Sequence, residues 1–317
     1  MKRWLKFLSI LSVTLSIVAC GGGDSAPPAV PGNIVAVAQS KSFNALTAAA
    51  TKAGLVSALS DPTANLTVFA PTDAAFGTLA TQLGFADATA LVNALPAADL
   101  AKILTYHVLP TKKTAADLTA GGATQATLYS FGGAPTRLSL TTTAGVTITD
   151  AAQTQAKVTT IDVAASNGVI HAIDKVLVPP GVLNVVQMAQ VNPLFTTVVS
   201  SVVKANLQGA LSGAGPFTVF APTNDAFAAI QSTVAGLTTA QLIKVLTYHV
   251  LPAQVLAANI PFGTPVATVE GETLTINSGT PPTITDKTSI NASIVITDVR
   301  ASNGVIHVIN KVLIPTL

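Results

Sequence analysis

Two textures alternate along residues 33 to 317. In the first, apolar residues fall at helical spacing. The Ala-rich run from Phe43 to Leu59 predicts helix, and Leu100, Ile103, Leu104 and His107 stand at i, i+3, i+4 and i+7. Leu242, Val245, Leu246 and His249 repeat that stripe, and Thr238 with Gln241 has capping-box spacing at its start. After Pro71, Thr72 or Asp73 can cap a short helix carrying Phe76 and Leu79. The second texture starts near residue 124 and again near 264, where Thr, Val and Ile alternate with period two. Arg137–Thr141, Val146–Thr149 and Lys157–Ile161 predict strands separated by turns. Asn167-Gly168 and Asn303-Gly304 signal tight hairpins, and the strand after each is apolar on both faces, which predicts a central, doubly buried strand. The local reading is α+β.

The chain is also written twice. Thr67-Val-Phe-Ala-Pro-Thr-Asp-Ala-Ala-Phe76 returns as Thr218-Val-Phe-Ala-Pro-Thr-Asn-Asp-Ala-Phe227, at an offset of 151. Lys102-Ile-Leu-Thr-Tyr-His-Val-Leu-Pro110 returns from Lys244 at 142, and Ala165-Ser-Asn-Gly-Val-Ile-His171 returns from Ala301 at 136. The first copy therefore holds nine extra residues between the first two boxes and six more before the third. Insertions between boxes are expected to be surface loops. The spacing predicts domains over residues 33–179 and 181–317, each folding alone, joined by the short, stiff Pro179-Pro180-Gly181 as a semi-rigid rod.

Three ordered boxes, present twice, resemble the signature segments of fasciclin-type domains, and the resemblance covers essentially residues 33 to 317. It implies two tandem domains, each a wedge or sandwich of about seven strands with a helical layer. It also implies a role in adhesion or surface interaction without catalysis. In animal relatives the Tyr-His segment is linked to integrin binding. Tyr106-His107 and Tyr248-His249 match that position and are the candidate interaction segment, the position being carried over without the partner.

The N-terminus changes the picture of location. Lys2, Arg3 and Lys6 precede an apolar stretch from Phe7 to Val18, too short for a bilayer that needs about 20 residues. Ile17-Val18-Ala19-Cys20 looks like a bacterial lipobox, so residues 1–19 are expected to be a signal peptide and Cys20, the only cysteine, the lipid attachment site. Gly21 after it suggests outer-membrane sorting in a Gram-negative cell. Residues 20–32 read as a Gly/Pro-rich tether of roughly 20 Å. The formal charge of +2 belongs to the leader: without its three cations the balance is 13 basic against 14 acidic residues. Nucleic acid is therefore not an expected partner, and the membrane is expected to be met only through the lipid.

Candidate chemistry is sparse. All four histidines lie inside repeated boxes, without His-x-x-x-His spacing, a further cysteine or a Gly-x-Ser-x-Gly elbow. No metal, cofactor or catalytic residue is expected. His107 and His249 continue an apolar stripe and predict buried imidazoles, while their neighbouring tyrosines, about 100° around the helix, are expected to reach the surface with their hydroxyls. His171 and His307 share a strand face with Val169 and Ile173, or Val305 and Ile309. Asp162 and Asp298 stand four residues before each Ser-Asn-Gly turn, where a carboxylate can accept from the turn amides or meet a histidine. With Asn167, Gly168, Asn303 and Gly304 these are structural candidates. The expected function is a surface-anchored adhesion or envelope-interaction protein whose partner is an extracellular or cell-surface protein or polysaccharide. The alternative is a receptor or carrier for a small apolar or carbohydrate ligand. Cys20→Ser is expected to release the chain from membranes or leave its leader uncleaved, which fractionation and intact mass will report.

Overall fold

The computed structural model describes residues 31–317 apart from Ala144, so Cys20 and the leader lie outside the described residues. The first domain runs α1 (Ile34–Ser40), α2 (Asn44–Lys52), α3 (Val56–Ser60), β1 (Leu66–Pro71), α4 (Asp73–Gln82), α5 (Ala88–Ala94), α6 (Ala97–Tyr106), β2 (Val108–Leu109) and α7 (Ala115–Ala120). Then come β3 (Thr124–Phe131), β4 (Ala134–Thr141), β5 (Thr147–Thr149), β6 (Gln155–Ala165) and β7 (Gly168–Ile173). The second repeats the plan: α8 (Val185–Gln190), α9 (Thr196–Lys204), α10 (Gln208–Leu211), β8 (Phe217–Pro222), α11 (Asn224–Ala228), α12 (Gln231–Ala235), α13 (Thr239–Tyr248) and β9 (Val250–Leu251). It closes with β10 (Pro265–Ala267), β11 (Thr273–Asn277), β12 (Thr283–Thr285), β13 (Ala292–Ala301) and β14 (Gly304–Ile309).

Each domain is α+β, with one seven-stranded sheet. The orders are β2-β1-β7-β6-β5-β4-β3 and β9-β8-β14-β13-β12-β11-β10. Pairing is antiparallel except where β1 meets β7 and β8 meets β14. Those are the strands read as apolar on both faces, and all six residues of β7 and of β14 are buried. One face of β1 and β7 (Val68, Ala70, Ile170, Ala172) packs on the helices. The other face (Phe69, Ile173) closes a second core with Leu138, Leu140 and Ile148 inside the sheet.

Local chemistry sets the elements. Gly54, at φ 71°, breaks the long Ala-rich run into α2 and α3, because only glycine takes that conformation without strain. Thr72 caps α4 through the Ala75 amide, and Thr238 and Gln241 form the capping box of α13. The hairpins exist, but their turn residues are Ser166-Asn167 and Ser302-Asn303, not Asn-Gly. Each glycine instead opens the central strand. A Cβ on Gly168 would stand 2.2 Å from the Leu66 carbonyl oxygen, and one on Gly304 would stand 2.3 Å from that of Phe217. The asparagine faces inward. Asn167 accepts from the Ile34 amide at 2.9 Å and donates to the Leu59 and Asp61 carbonyls at 2.9 Å each. Asn303 does the same with the Val185 amide and the Leu211 and Gly213 carbonyls.

The nine extra residues of the first domain are not a surface loop. They lengthen α4 and build α5, whose Leu91 and Val92 are buried in the helical core. The domain junction is packed as well. One apolar cluster runs from Ile34 through Val178 and Leu183 to Ile306 and Val308. Across the junction, Asn192 donates to the Ala152 carbonyl at 2.8 Å, the Tyr129 hydroxyl donates to that of Pro180, and the Arg300 guanidinium lies 5.3 Å from the centre of the Phe131 ring.

Asn167→Ala strands one amide and two carbonyls between layers. It is expected to cost about 2–4 kcal/mol, read as a lower urea midpoint with unchanged slope. Asn303→Ala should cost less, because Asn303 is only half-buried.

Candidate functional site

His107 caps α6, and two backbone groups fix its ring. Nδ1 lies 2.8 Å from the Ile103 carbonyl oxygen, and Nε2 accepts from the Leu177 amide at 2.9 Å. The ring is therefore neutral, with its proton on Nδ1. Burial pushes the imidazole pKa down to about 4. His249 repeats this with the Val245 carbonyl and the Leu313 amide, and its pKa is also about 4. Each imidazole thus joins the end of a helix to the segment that leaves the central strand.

The tyrosines do not reach the surface. Tyr106 is 1% exposed and Tyr248 0%, because the chain turns from helix into β2 or β9 at this point and carries the ring into the core inside the sheet. Tyr106 meets Tyr129 edge-on at 6.3 Å, and the Tyr248 hydroxyl donates to the Thr273 carbonyl at 2.9 Å. Burial raises both phenols, Tyr248 to about 12 with Asp286, Glu272 and Glu270 adding to the shift. The Tyr-His segments thus offer their side chains to the interior rather than to a partner.

His171 and His307 face the core inside each sheet, with ring centres 5.8 Å from those of Phe69 and Phe220, tilted in the first domain and stacked in the second. Nε2 of His171 donates to the Lys113 carbonyl at 2.9 Å, and its Nδ1 accepts from the Asp162 amide at 3.2 Å. His307 makes the same contacts with the Val255 carbonyl and the Asp298 amide. Asp162 and Asp298 lie at bulges in β6 and β13 with φ of 56° and 59°. Both partners foreseen for their carboxylates are wrong. Asp162 accepts from the Ala115 amide and Asp298 from that of Ala257, each at 2.9 Å. The bulge turns the carboxylate away from the hairpin and toward the connection that follows β2 or β9.

A second aspartate pair went unread. Thr147-Ile-Thr-Asp150 and Thr283-Ile-Thr-Asp286 repeat at the 136 offset, and that repetition was the available signal. Asp150 accepts from the Val178 amide and from the amide and hydroxyl of Thr154, each at 2.9 Å. Burial nonetheless holds its carboxyl above the usual range. Its natural counter-ion, Lys175, reaches across the junction to the Val191 carbonyl at 3.4 Å. Asp286 keeps its lysine, with Lys311 Nζ at 2.6 Å. Burial pushes its carboxyl up, but the Lys311 and Thr288 bonds outweigh that and hold it low.

The four histidines and the side chains of Asp162, Asp298, Asn167 and Asn303 are thus spent on the protein's own backbone. Among the described residues no group of three His, Cys, Asp or Glu side chains could hold a metal ion. What remains open is surface. In the second domain an apolar groove of about 50 Å³ lies between α8, α9 and α10, lined by Val186, Val198, Val202 and Leu211. A larger cleft of about 440 Å³ opens between α9, α11 and α12.

Residues 41–179 and 193–315 match the family model of the fasciclin domain. One similar protein is sll1483 of Synechocystis, 45% identical over 143 residues, covering 43% of this chain and 75% of that protein. Another is the pig transforming growth factor-beta-induced protein ig-h3, 36% identical over 155 residues, covering 48% of this chain and 22% of the relative. Among solved structures, a FAS1 domain pair from the insect cell adhesion molecule fasciclin I aligns over 89% of this chain and 95% of its own, at 15% identity and a TM-score of 0.43.

The buried groups give a definite acid response. An unfolded histidine takes a proton below about pH 6.5, while folded His107 and His249 stay neutral until about 4. Their stabilisation is complete above pH 6.5 and is lost as pH falls toward 4. By pH 4.5 the loss is about 3 kcal/mol per domain. Asp286, held low, adds a further loss as pH falls below the ordinary carboxylate value, whereas Asp150, held high, does the opposite. Urea midpoints by circular dichroism at pH 7, 4.5 and about 3 check this. His107→Gln should flatten the decline of the first domain, and Lys311→Met should blunt the additional decline of the second below pH 4.

Proposed function

This chain belongs to the fasciclin domain family, and from that premise we propose that it is a surface-anchored adhesion or matrix-interaction protein working through two non-catalytic binding domains. Fasciclin domains are associated with adhesion and matrix interaction in relatives. The observation that carries the reading is the internal use of the repeated chemistry. All four histidines and the Asp162, Asp298, Asn167 and Asn303 side chains bond to backbone groups, which leaves recognition to the exposed faces. In this reading Cys20 carries the lipid, the protein sits on the outer membrane of a Gram-negative cell, and its partner is a protein or polysaccharide outside that cell.

The receptor alternative is less well supported. The apolar groove between α8, α9 and α10, at about 50 Å³, is far below the roughly 300–1,000 Å³ of a pocket for a drug-sized ligand, and the cleft of about 440 Å³ between α9, α11 and α12 reaches that size only as a wide-open surface depression.

A deletion strain is expected to lose surface binding or biofilm, with restoration by the full chain and partial restoration by single domains. A thermal-shift panel of small apolar compounds and sugars is expected to leave the melting temperature unmoved. A bound ligand at 100 times its Kd would add about 2.7 kcal/mol, so a clear shift would favour the receptor reading instead.

A further inference from the structure

The two copies hold one lysine differently, and the difference falls at the domain junction. In the second domain Lys311 Nζ lies 2.6 Å from Asp286 Oδ2 and donates to the Thr288 hydroxyl at 2.8 Å. Asp150 and Lys175 stand at the same places in the first domain, each 136 residues earlier. The two carboxylates keep the same backbone anchor: Asp150 accepts from the Val178 amide and Asp286 from the Ile314 amide, each at 2.9 Å. Yet among the described residues Lys175 forms no ion pair. Its ammonium turns instead to the Val191 carbonyl of the second domain, at 3.4 Å. That is beyond the usual hydrogen-bond range of about 2.7–3.2 Å. Burial pushes the Lys175 ammonium down, and the charges of Asp150 and Asp174 offset only part of this. Asp150 stays buried without a paired cation, which is a costly state for a carboxylate.

A second cation at the junction is also poorly served. The Arg300 guanidinium lies over the Phe131 ring, but among the described residues its buried Nε has no hydrogen-bond partner. An unmet buried donor on a charged group is expensive. Against these two costs stand the bonds of Asn192 to the Ala152 carbonyl and of Tyr129 to that of Pro180, with the apolar packing of Val178 and Leu183. Packing favours the docked junction and charge opposes it.

We propose that this junction is a two-state hinge: docked, Lys175 bonds the Val191 carbonyl of the second domain, and open, it swings back onto Asp150 as Lys311 lies on Asp286. Opening also lets water reach Arg300. The open state therefore lies closer in energy than the apolar contacts alone would place it. The second domain shows, on the same scaffold, the pair closed. The proposal does not rest on the adhesive reading.

Single-molecule energy transfer between dyes at Thr78→Cys and Ser232→Cys, both exposed positions, reads the open fraction of the full chain carrying Cys20→Ser. It is measured in buffer and in sub-denaturing urea. A lysine that is only a strut to Val191 would make Lys175→Met loosen the junction. The hinge requires the opposite sign: Lys175→Met should lower the open fraction roughly threefold or more, the scale of a charge-assisted hydrogen bond. Asp150→Asn should lower it as well, and adding Lys175→Met to Asp150→Asn should lower it no further, because both remove one pair. Lys311→Met, which breaks the closed pair of the second domain, should leave the open fraction unchanged. Circular dichroism melts check that each variant folds, and if Asp150→Asn does not, the sign for Lys175→Met decides alone. An open fraction that rises or stays level in Lys175→Met overturns the proposal. So do additive effects in the double variant, an equal change in Lys311→Met, or a parent chain that shows only the docked population up to the onset of unfolding.

Discussion

In each domain one carboxamide joins the helical layer to the sheet. Asn167 and Asn303 sit in the hairpin before the central strand, and their three bonds reach the start of the first helix and the end of the third. A carboxamide can donate twice and accept at the same site, which neither a carboxylate nor a hydroxyl can do. The glycine beside it matters as much. With the Leu66 oxygen 2.2 Å from where a Cβ would be, the parallel strands reach their register only if that position carries no side chain. The two cores lie on opposite faces of this strand pair, so both depend on its placement.

Around that pair the protein uses histidine as a two-sided backbone connector. A neutral imidazole donates at one nitrogen and accepts at the other, and all four rings do so in the same way in both copies. The duplication also shows what is not required of the scaffold. Asp150 and Asp286 hold equivalent positions, yet Lys311 pairs directly with Asp286 while Lys175 acts on Asp150 only through its charge and bonds the Val191 carbonyl across the domain junction. Helix α5 buries Leu91 and Val92 in one copy, whereas α12, in the corresponding stretch of the other, buries no residue, and the sheets still keep the same strand order.

Much of this was legible in the sequence. Period-two alternation, helical stripes and the doubled boxes predicted α+β domains in tandem, and the doubly apolar strand proved to lie between neighbours on both sides. The failures have physical causes. Asn-Gly reads as a turn because glycine favours turns, but this glycine is selected by a contact with Leu66, 102 residues away in sequence, which no local pattern encodes. Helical periodicity placed Tyr106 off the apolar stripe. It could not show that the sheet curls over the helix end and supplies a second interior for it. An insertion between boxes predicts a loop, yet Leu91-Val92 in this stretch has the composition of a packing face and is buried. Asp150 escaped because a lone acid in a Thr-rich strand resembles any solvated residue until its repeat is noticed.

The hairpin also has a mechanical consequence. The Ser166 amide donates to the Gly32 carbonyl at 2.9 Å, and one residue on, Asn167 holds the first amide of α1. Tension entering from the N-terminal side therefore does not peel a free end from the fold. It meets, within two residues, a hydrogen-bonded clasp on the hairpin between β6 and β7. The Ser302–Leu183 bond and Asn303 repeat the clasp where the second domain begins. Each domain is thus gripped close to its central strand, so a pull along the chain is carried first into the strands buried deepest.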